Sequence, residues 1–277
     1  MLSDGYPPLD TYEEVPRLPR FREMRAFAGA FLEGNEGVLE AYGARWSKHP
    51  LHRWSRRWEY LFVTERVGAA FDRTPGSMRM LDAGSGLTFF PHWLASEYPG
   101  LTVVCSDRDA RVEAASKELR PPAHDAVSYI TEDLASLDHP DASFDVVSCV
   151  SVLEHTRRRE AIIAEFARVL EPGGALVLTF DVSVDGRWEI PRAEAAGLLG
   201  DLDAHFEPDG DYASRLDTFD PDGMLTTGWA REHDPSLLPW KYPHPVDMVR
   251  RFPNVIEMLK PRFKLLTCFC GTWRKPA

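Results

Sequence analysis

The sequence predicts an α/β protein built on a doubly wound, mostly parallel sheet with helices on both faces. Three observations carry that prediction. Short apolar runs at Met78–Asp82, Leu101–Cys105, Val127–Thr131, Phe144–Val150 and Ala175–Phe180 alternate with helical patterns. Most are apolar nearly throughout rather than at every second residue, as strands covered on both faces are. The first run ends in Asp82-Ala83-Gly84-Ser85-Gly86, directly before a helix start. Glycines there allow positive φ and let a ligand lie against backbone amides. Right-handed crossovers then wind the sheet in both directions.

The elements follow in order. Residues 1 to about 19 are rich in Pro and acid and read as a loosely held arm. Phe21, Met24, Phe27, Ala28 and Phe31 recur at helical steps. A second helix is expected over Gly37–Trp46, and a third from His52 to about Phe71 through Trp54, Trp58 and Leu61. Residues 1–76 thus read as a helical N-terminal cap. After the first strand, Phe89–Tyr98 is a helix with Thr88 as N-cap and Pro91 tolerated in its first turn. Asp109–Leu119 and Ala161–Leu170 are the next two helices, and Glu171-Pro172-Gly173-Gly174 is a sharp turn into the fifth strand. The core is expected over 77–184. Pro191–Phe206 and Val246–Leu259 read as helices, the latter interrupted by Pro253. Residues 185–262 form a segment too large for a simple loop, expected to cover the site as a lid, and 263–277 supply the last strand.

Bulk properties narrow the function. The 277 residues suit one large domain with additions. A net charge of -11 disfavours broad phosphate-backbone binding, so no nucleic-acid partner is expected. Cys105, Cys149, Cys268 and Cys270 lie in apolar runs without a CxxC pair, which reads as buried reduced thiols and no metal site. No run reaches the ~18 apolar residues of a membrane span and no signal segment opens the chain, so a cytoplasmic protein without membrane partners is expected. Oligomeric state is open.

In a doubly wound sheet the ligand sits beyond the carboxyl ends of the strands. Those ends offer Asp82, then Asp107, then Asp133 with Leu134, then Cys149 with Val150. A carboxylate at the end of the second strand suits the two hydroxyls of a ribose. A nicotinamide dinucleotide expects GxGxxG, but Phe89 stands where the third glycine belongs, and the turn lacks a phosphate-loop lysine. A nucleoside without a pyrophosphate fits better.

Five blocks in order then resemble the class I S-adenosylmethionine-dependent methyltransferases: Asp82-Ala83-Gly84-Ser85-Gly86, Asp107, Glu132-Asp133-Leu134, Phe144-Asp145-Val146-Val147 through Glu154-His155, and Val169-Leu170-Glu171-Pro172-Gly173-Gly174 with Ala175–Phe180. Thr88 stands where that family often has another glycine. The resemblance implies a Rossmann-like fold with seven strands, S-adenosyl-L-methionine as cofactor, and methyl transfer to O, N or C of a small molecule, secondary-metabolite or sugar-like. It implies that Gly84, Ser85 and Gly86 pass the methionine and ribose, and that Asp82 holds the amino group. Asp107 would bind the ribose hydroxyls with Arg108 beside the adenine. Asp133 and Leu134 would meet the adenine, while Cys149 and Val150 line the sulfonium side.

His155, one turn past the fourth strand, is the candidate general base, against a purely packing role. Arg57 or Tyr60 is a candidate for closing over the methionine carboxylate. The competing reading has Trp54, Trp58 and Leu61 buried and the arginines solvated. Trp188, Trp229, His233 and Trp240 are candidates for a substrate pocket, or for packing alone. A cofactor-binding regulatory protein without turnover and a nicotinamide-dependent oxidoreductase are the alternative functions.

Overall fold

The computed structural model describes residues 1–43, 51, 53–74, 76–120, 125–239 and 263–277. The sheet has the order β3-β2-β1-β4-β5-β8-β7, with β6 pairing β5. Its strands are β1 (Met78–Ala83), β2 (Leu101–Asp107), β3 (Val127–Thr131), β4 (Phe144–Val150), β5 (Leu170–Ser183), β6 (Ile190–Pro191), β7 (Glu207–Pro208) and β8 (Leu266–Arg274). β1 through β5 run parallel, and β8 lies antiparallel on β5 from Ala175↔Arg274 to Ser183↔Leu266. β1 is central, pairing Met80 with both Val103 and Val146. From β1 the chain first winds outward to β2 and β3, then returns to lay β4 and β5 on the other side. That reversal parts the crossovers and opens a crevice above the carboxyl ends of β1 and β4. The sheet thus has eight strands against the expected seven; the two-residue β6 and β7 are not marked in the sequence, and β8 is the last strand the sequence predicts.

Ten helices are described: α1 (Leu9–Glu14), α2 (Pro19–Gly34), α3 (Glu36–Tyr42), α4 (Arg56–Phe71), α5 (Phe90–Glu97), α6 (Ala110–Ser116), α7 (Arg159–Val169), α8 (Arg192–Asp203), α9 (Tyr212–Asp217) and α10 (Thr227–His233). Alternate strand residues serve opposite layers. Met80, Val103, Cys105 and Val177 pack beneath α2, α4 and α5, while Leu81, Val104, Leu176 and Leu178 pack with α7, α8 and α9. This alternation is the period-two geometry of a strand buried on both faces.

Five sequence expectations change, the last of them the lid. The arm is not loose: Leu2, Tyr6, Tyr12 and Val15 are buried, and Gly5 exchanges both backbone hydrogen bonds with Cys270 of β8, at 2.7 and 3.0 Å. α4 is not part of a separate cap but one of the helices packed on the sheet, in the same apolar core as β1 and β2. Residues 171–174 bulge within β5 rather than turning ahead of it, because Phe144 pairs with Leu170 while Val146 pairs with Ala175. Gly174 sits where a Cβ would come within 2.8 Å of the Glu171 carbonyl, so no other side chain fits the bulge. Thr88 does not cap α5 from the expected place; its hydroxyl accepts from the Phe90 amide at 3.4 Å and the N-cap is Phe89.

Of the expected lid, α8 and α9 instead lie on the sheet face beside α7, through Leu198, Leu202, Tyr212 and Leu216. The expected helix over 246–259, and Trp46 and Trp240, lie outside the described residues. Among the described residues no helix is long and apolar enough to cross a membrane. Cys105, Cys149, Cys268 and Cys270 are all buried thiols.

Candidate active site

The turn after β1 is held by backbone groups. The Gly84 and Ser85 amides both donate to the Ser106 carbonyl, at 2.7 and 3.1 Å. The Gly86 amide donates to Asp107 Oδ2 at 3.0 Å, and the Asp109 amide to Asp107 Oδ1 at 2.9 Å. Each oxygen of Asp107 has thus accepted one hydrogen bond and keeps lone-pair capacity for a ligand. Gly84 has φ +74°, and a Cβ there would lie 2.5 Å from Val152 Cγ2. Glycine alone lets the turn and the end of β4 approach so closely.

Asp82 is buried beneath this turn, with Ser148 Oγ donating to it at 2.8 Å. Loss of solvent pushes its carboxyl up to about 6; the Ser148 hydrogen bond opposes that shift and the Asp107 charge adds to it. Such a carboxyl gains by receiving a cation.

A cavity of about 430 Å³ opens above these groups, within the ~300–1,000 Å³ of small-ligand sites. Asp82, Gly84, Ser85, Asp107, Arg108 and Val150 line it, and so do Asp133, Leu134, Tyr60 and His155. Gly86 supports the wall through Asp107. Asp133 stands at the rim, where the Ala135 amide and Arg158 hold its carboxyl below the usual aspartate range. Leu134 beside it is buried.

The facing wall comes from α4 and from the segment after β4. Tyr60 stacks on Phe90 with ring centroids 4.1 Å apart and 6° between planes. Arg53 and Arg56 line the cavity with it. Glu59 is 0% exposed. It receives Arg56, the Ser151 hydroxyl at 2.7 Å and the Thr179 hydroxyl at 2.7 Å. Burial works against its ionisation, but Arg56 and these hydroxyls outweigh burial and hold it below the usual glutamate range. Ser151 has φ +53°, an uncommon conformation for a residue with a Cβ. Arg53 has no acidic partner among the described residues, and burial, then Arg56 beside it, pushes its guanidinium down to about 10.

Five candidates stand off the cavity wall. Arg57 turns to the Leu51 carbonyl at 3.3 Å and to Asp234 at 3.9 Å, because Arg53 and Arg56 occupy the cavity side of that helix start. Cys149 faces the α7 layer with Leu81 and Val147, since only alternate β4 residues reach the site; burial raises its thiol well above the usual range. Trp188 lies under Lys264, whose Nζ is 5.2 Å from its ring centroid. Trp229 meets Tyr12 edge-on and stacks on His233 at 4.9 Å. Trp188 and Trp229 thus pack between elements, while His233 lies exposed on α10 against Trp229 of the same helix.

Arg53, Arg56, Glu59 and Ser151 were not singled out by the sequence, which read the arginines as solvated. The signal that was available is the Arg56–Glu59 spacing of one helical turn at the head of the largely apolar stretch Trp58–Val63, which the structure buries at every position. A helix apolar all round is an interior helix, and charges within it must be paired. Among the described residues no cluster of His, Cys, Asp or Glu could hold a metal ion.

Known proteins resemble this chain over part of its length. Residues 81–178 match the model of a methyltransferase domain. The 27-O-demethylrifamycin SV methyltransferase of Amycolatopsis mediterranei is 32% identical over 117 residues, 42% of this chain and 43% of that protein. The demethylmenaquinone methyltransferase of Renibacterium salmoninarum is 35% identical over 126 residues, 45% of this chain and 47% of that protein. The chain thus matches somewhat under half the length of these relatives. Among solved structures, the 4+2 cyclase SpnF shares the fold at TM-score 0.50 and 21% identity, covering 77% of this chain and 81% of its own. The StiE O-methyltransferase domain does so at TM-score 0.50 and 14% identity, covering 79% and 74%. Residues 81–178 thus match a methyltransferase domain, and the sheet order with its flanking helices is the Rossmann-like fold of these solved structures.

Proposed function

We propose that the protein transfers a methyl group from S-adenosyl-L-methionine to a hydroxyl oxygen of a small molecule. The observation that carries this reading is the juxtaposition, across one cavity, of a nucleoside-binding wall and an imidazole. The residues fit the cofactor. Asp107 offers both carboxylate oxygens to a ribose. Asp82, neutralised in part by burial, suits the methionine ammonium. Arg53, with no acidic partner among the described residues, suits the methionine carboxylate in place of Arg57. Leu134 and Asp133 would border the adenine, although Arg158 competes for Asp133.

When bound, the cofactor supplies an electrophilic methyl group on a sulfonium. The chain's own residues align the two reactants and exclude water, which removes several kcal/mol of barrier. His155 lines the same cavity and is the group that can take a proton from an acceptor. A hydroxyl acceptor requires such a base; a free amine does not. The cavity's size favours a small acceptor over a macromolecule, and the O-methylating relative points the same way.

Calorimetry with S-adenosyl-L-methionine, followed by transfer of a labelled methyl to a panel of hydroxyl, amine and carbon nucleophiles, tests the reading. Binding with transfer to hydroxyl acceptors is expected. Transfer only to amines or carbon overturns the choice of oxygen. Binding with no transfer favours a regulatory role, and absence of binding removes the whole reading.

A further inference from the structure

His155 closes the three-residue helical turn Leu153–His155 after β4, with its side chain 62% exposed at the cavity. Behind it stands Glu189, in the loop between β5 and β6, only 12% exposed. Glu189 Oε2 is 3.6 Å from His155 Nδ1. That is longer than a hydrogen bond, as such contacts often are before a substrate is bound. The other oxygen, Oε1, takes Lys264 Nζ at 2.6 Å.

The backbone at Glu189 is unusual. Its φ is +40°, one of three positive values at non-glycine residues among those described. A side chain at such φ costs on the order of 1–3 kcal/mol and persists where the surroundings over-determine it. Here the next residue, Ile190, is fixed by pairing with Val182, and Lys264 holds the carboxylate. Glycine would make this turn without strain, yet a glutamate stands in it and faces the imidazole.

Resting on the reading of the cavity as a methyl-transfer site, we propose that Glu189 is a positioning residue for His155. It holds the Nδ1–H tautomer, so that Nε2 presents its lone pair to an acceptor hydroxyl. As the acceptor oxygen forms its bond to the methyl carbon, the carbon–sulfur bond breaks and its electron pair leaves with sulfur. The hydroxyl proton passes to Nε2. The products are a methyl ether, the neutral thioether of the spent cofactor and an imidazolium, which returns its proton to solvent. Lys264 Nζ holds the other oxygen of Glu189 and so fixes the carboxylate beside the imidazole.

The charges around the imidazole are consistent with that task. Burial, the largest influence, lowers its pKa; Glu189 raises it, while Lys264, Arg56 and Arg108 lower it. Glu154 precedes it and Asp181 lies on β5, and burial raises both carboxyls. The net shift is downward, which leaves a neutral base at pH 7.

The test is NMR on histidine-labelled protein saturated with S-adenosylhomocysteine, with the His155 signal assigned by its loss in His155→Gln. Glu189→Gln should move the His155 titration to lower pH and reduce the Nδ1–H tautomer. Glu189→Gly, which also relieves the backbone, should do the same. An unchanged titration and tautomer in both variants overturns the proposal. Calorimetry with S-adenosyl-L-methionine should give wild-type affinity in both variants. If the wild type itself does not bind, the cofactor reading fails, while the tautomer result still decides the pairing. With a hydroxyl acceptor that the wild type methylates, Glu189→Gln should lower kcat on the order of tenfold or more at unchanged cofactor KM. Undiminished kcat also overturns the proposal.

Discussion

The two walls of the cavity are built by opposite means. The wall after β1 and β2 uses backbone amides and short acids from neighbouring stretches of chain, with Asp107 fixed by the Gly86 and Asp109 amides. The facing wall uses long charged side chains of α4 and the residues just before it, tied to the segment after β4 and to β5 by contacts such as Glu59–Ser151 and Glu59–Thr179. The first wall leaves capacity for a ligand. The second is largely satisfied within the protein. Changes to the first should therefore cost binding at little cost in stability, and changes to the second the reverse.

The largest effect should break that rule if it is wrong. Glu59→Ala strands Arg56 without its partner. Removing one member of a buried pair costs about 3–5 kcal/mol, so thermal denaturation should show a Tm lower by roughly 10 °C. Arg56→Ala should cost a similar amount, and the double variant less than the sum of the two. Cofactor affinity lost in Glu59→Ala at unchanged Tm would erase the distinction between the walls.

Asp107→Ala is the converse. Hydrogen bonds to a charged group contribute about 1.5–3 kcal/mol, so cofactor affinity by calorimetry should fall ~10–100-fold. Its Tm without cofactor should stay within a few degrees of wild type. Unchanged affinity would take the ribose away from Asp107.

A pH effect sharpens the same contrast. The Asp82 carboxyl, raised to about 6, must ionise to receive an ammonium. Cofactor binding should therefore weaken about tenfold between pH 7 and pH 5 and take up this dependence as proton release. Asp82→Asn should flatten it; a flat wild-type profile would separate Asp82 from the ligand.

The smallest effect lies behind the second wall. Asp181 is raised to about 8, first by burial and then by Glu59, with Arg56 and Lys264 opposing. Its folded pKa exceeds the unfolded one. Its contribution is therefore full below about pH 4 and lost as pH rises through about 8. Asp181→Asn should raise Tm by ~2–4 °C at pH 8 and leave it unchanged at pH 4. A lower Tm at pH 8 would mean that the carboxylate has a partner.

The contrast also explains what the sequence makes legible. The first wall is written in contiguous residues, Asp82 through Gly86 and Asp107, at strand ends that the apolar runs mark out. β3 and β4 occupy the expected residues to the position. The second wall is assembled from residues far apart, so Glu59 looks like one more surface acid until Thr179 is placed against it. A glutamate at positive φ, such as Glu189, has no signature in sequence. Residues 171–174 read as a turn because Pro-Gly-Gly does so anywhere; only the pairing of β4 with β5 turns them into a bulge. Trp188, Trp229 and His233 looked like a pocket because aromatic residues serve packing and binding alike.

The bond between Gly5 and Cys270 has a consequence for how the chain folds. At about 5–20 residues per second, synthesis of this chain takes on the order of tens of seconds. The first residues cannot take their place until β8, near the opposite end, has emerged. The apolar faces of α2 and α4, which share a core with β8, wait uncovered through that interval. Contacts of such long separation slow folding. The last strand is thus the latch that completes the first segment, and folding during synthesis should reach its native end only after β8 leaves the ribosome.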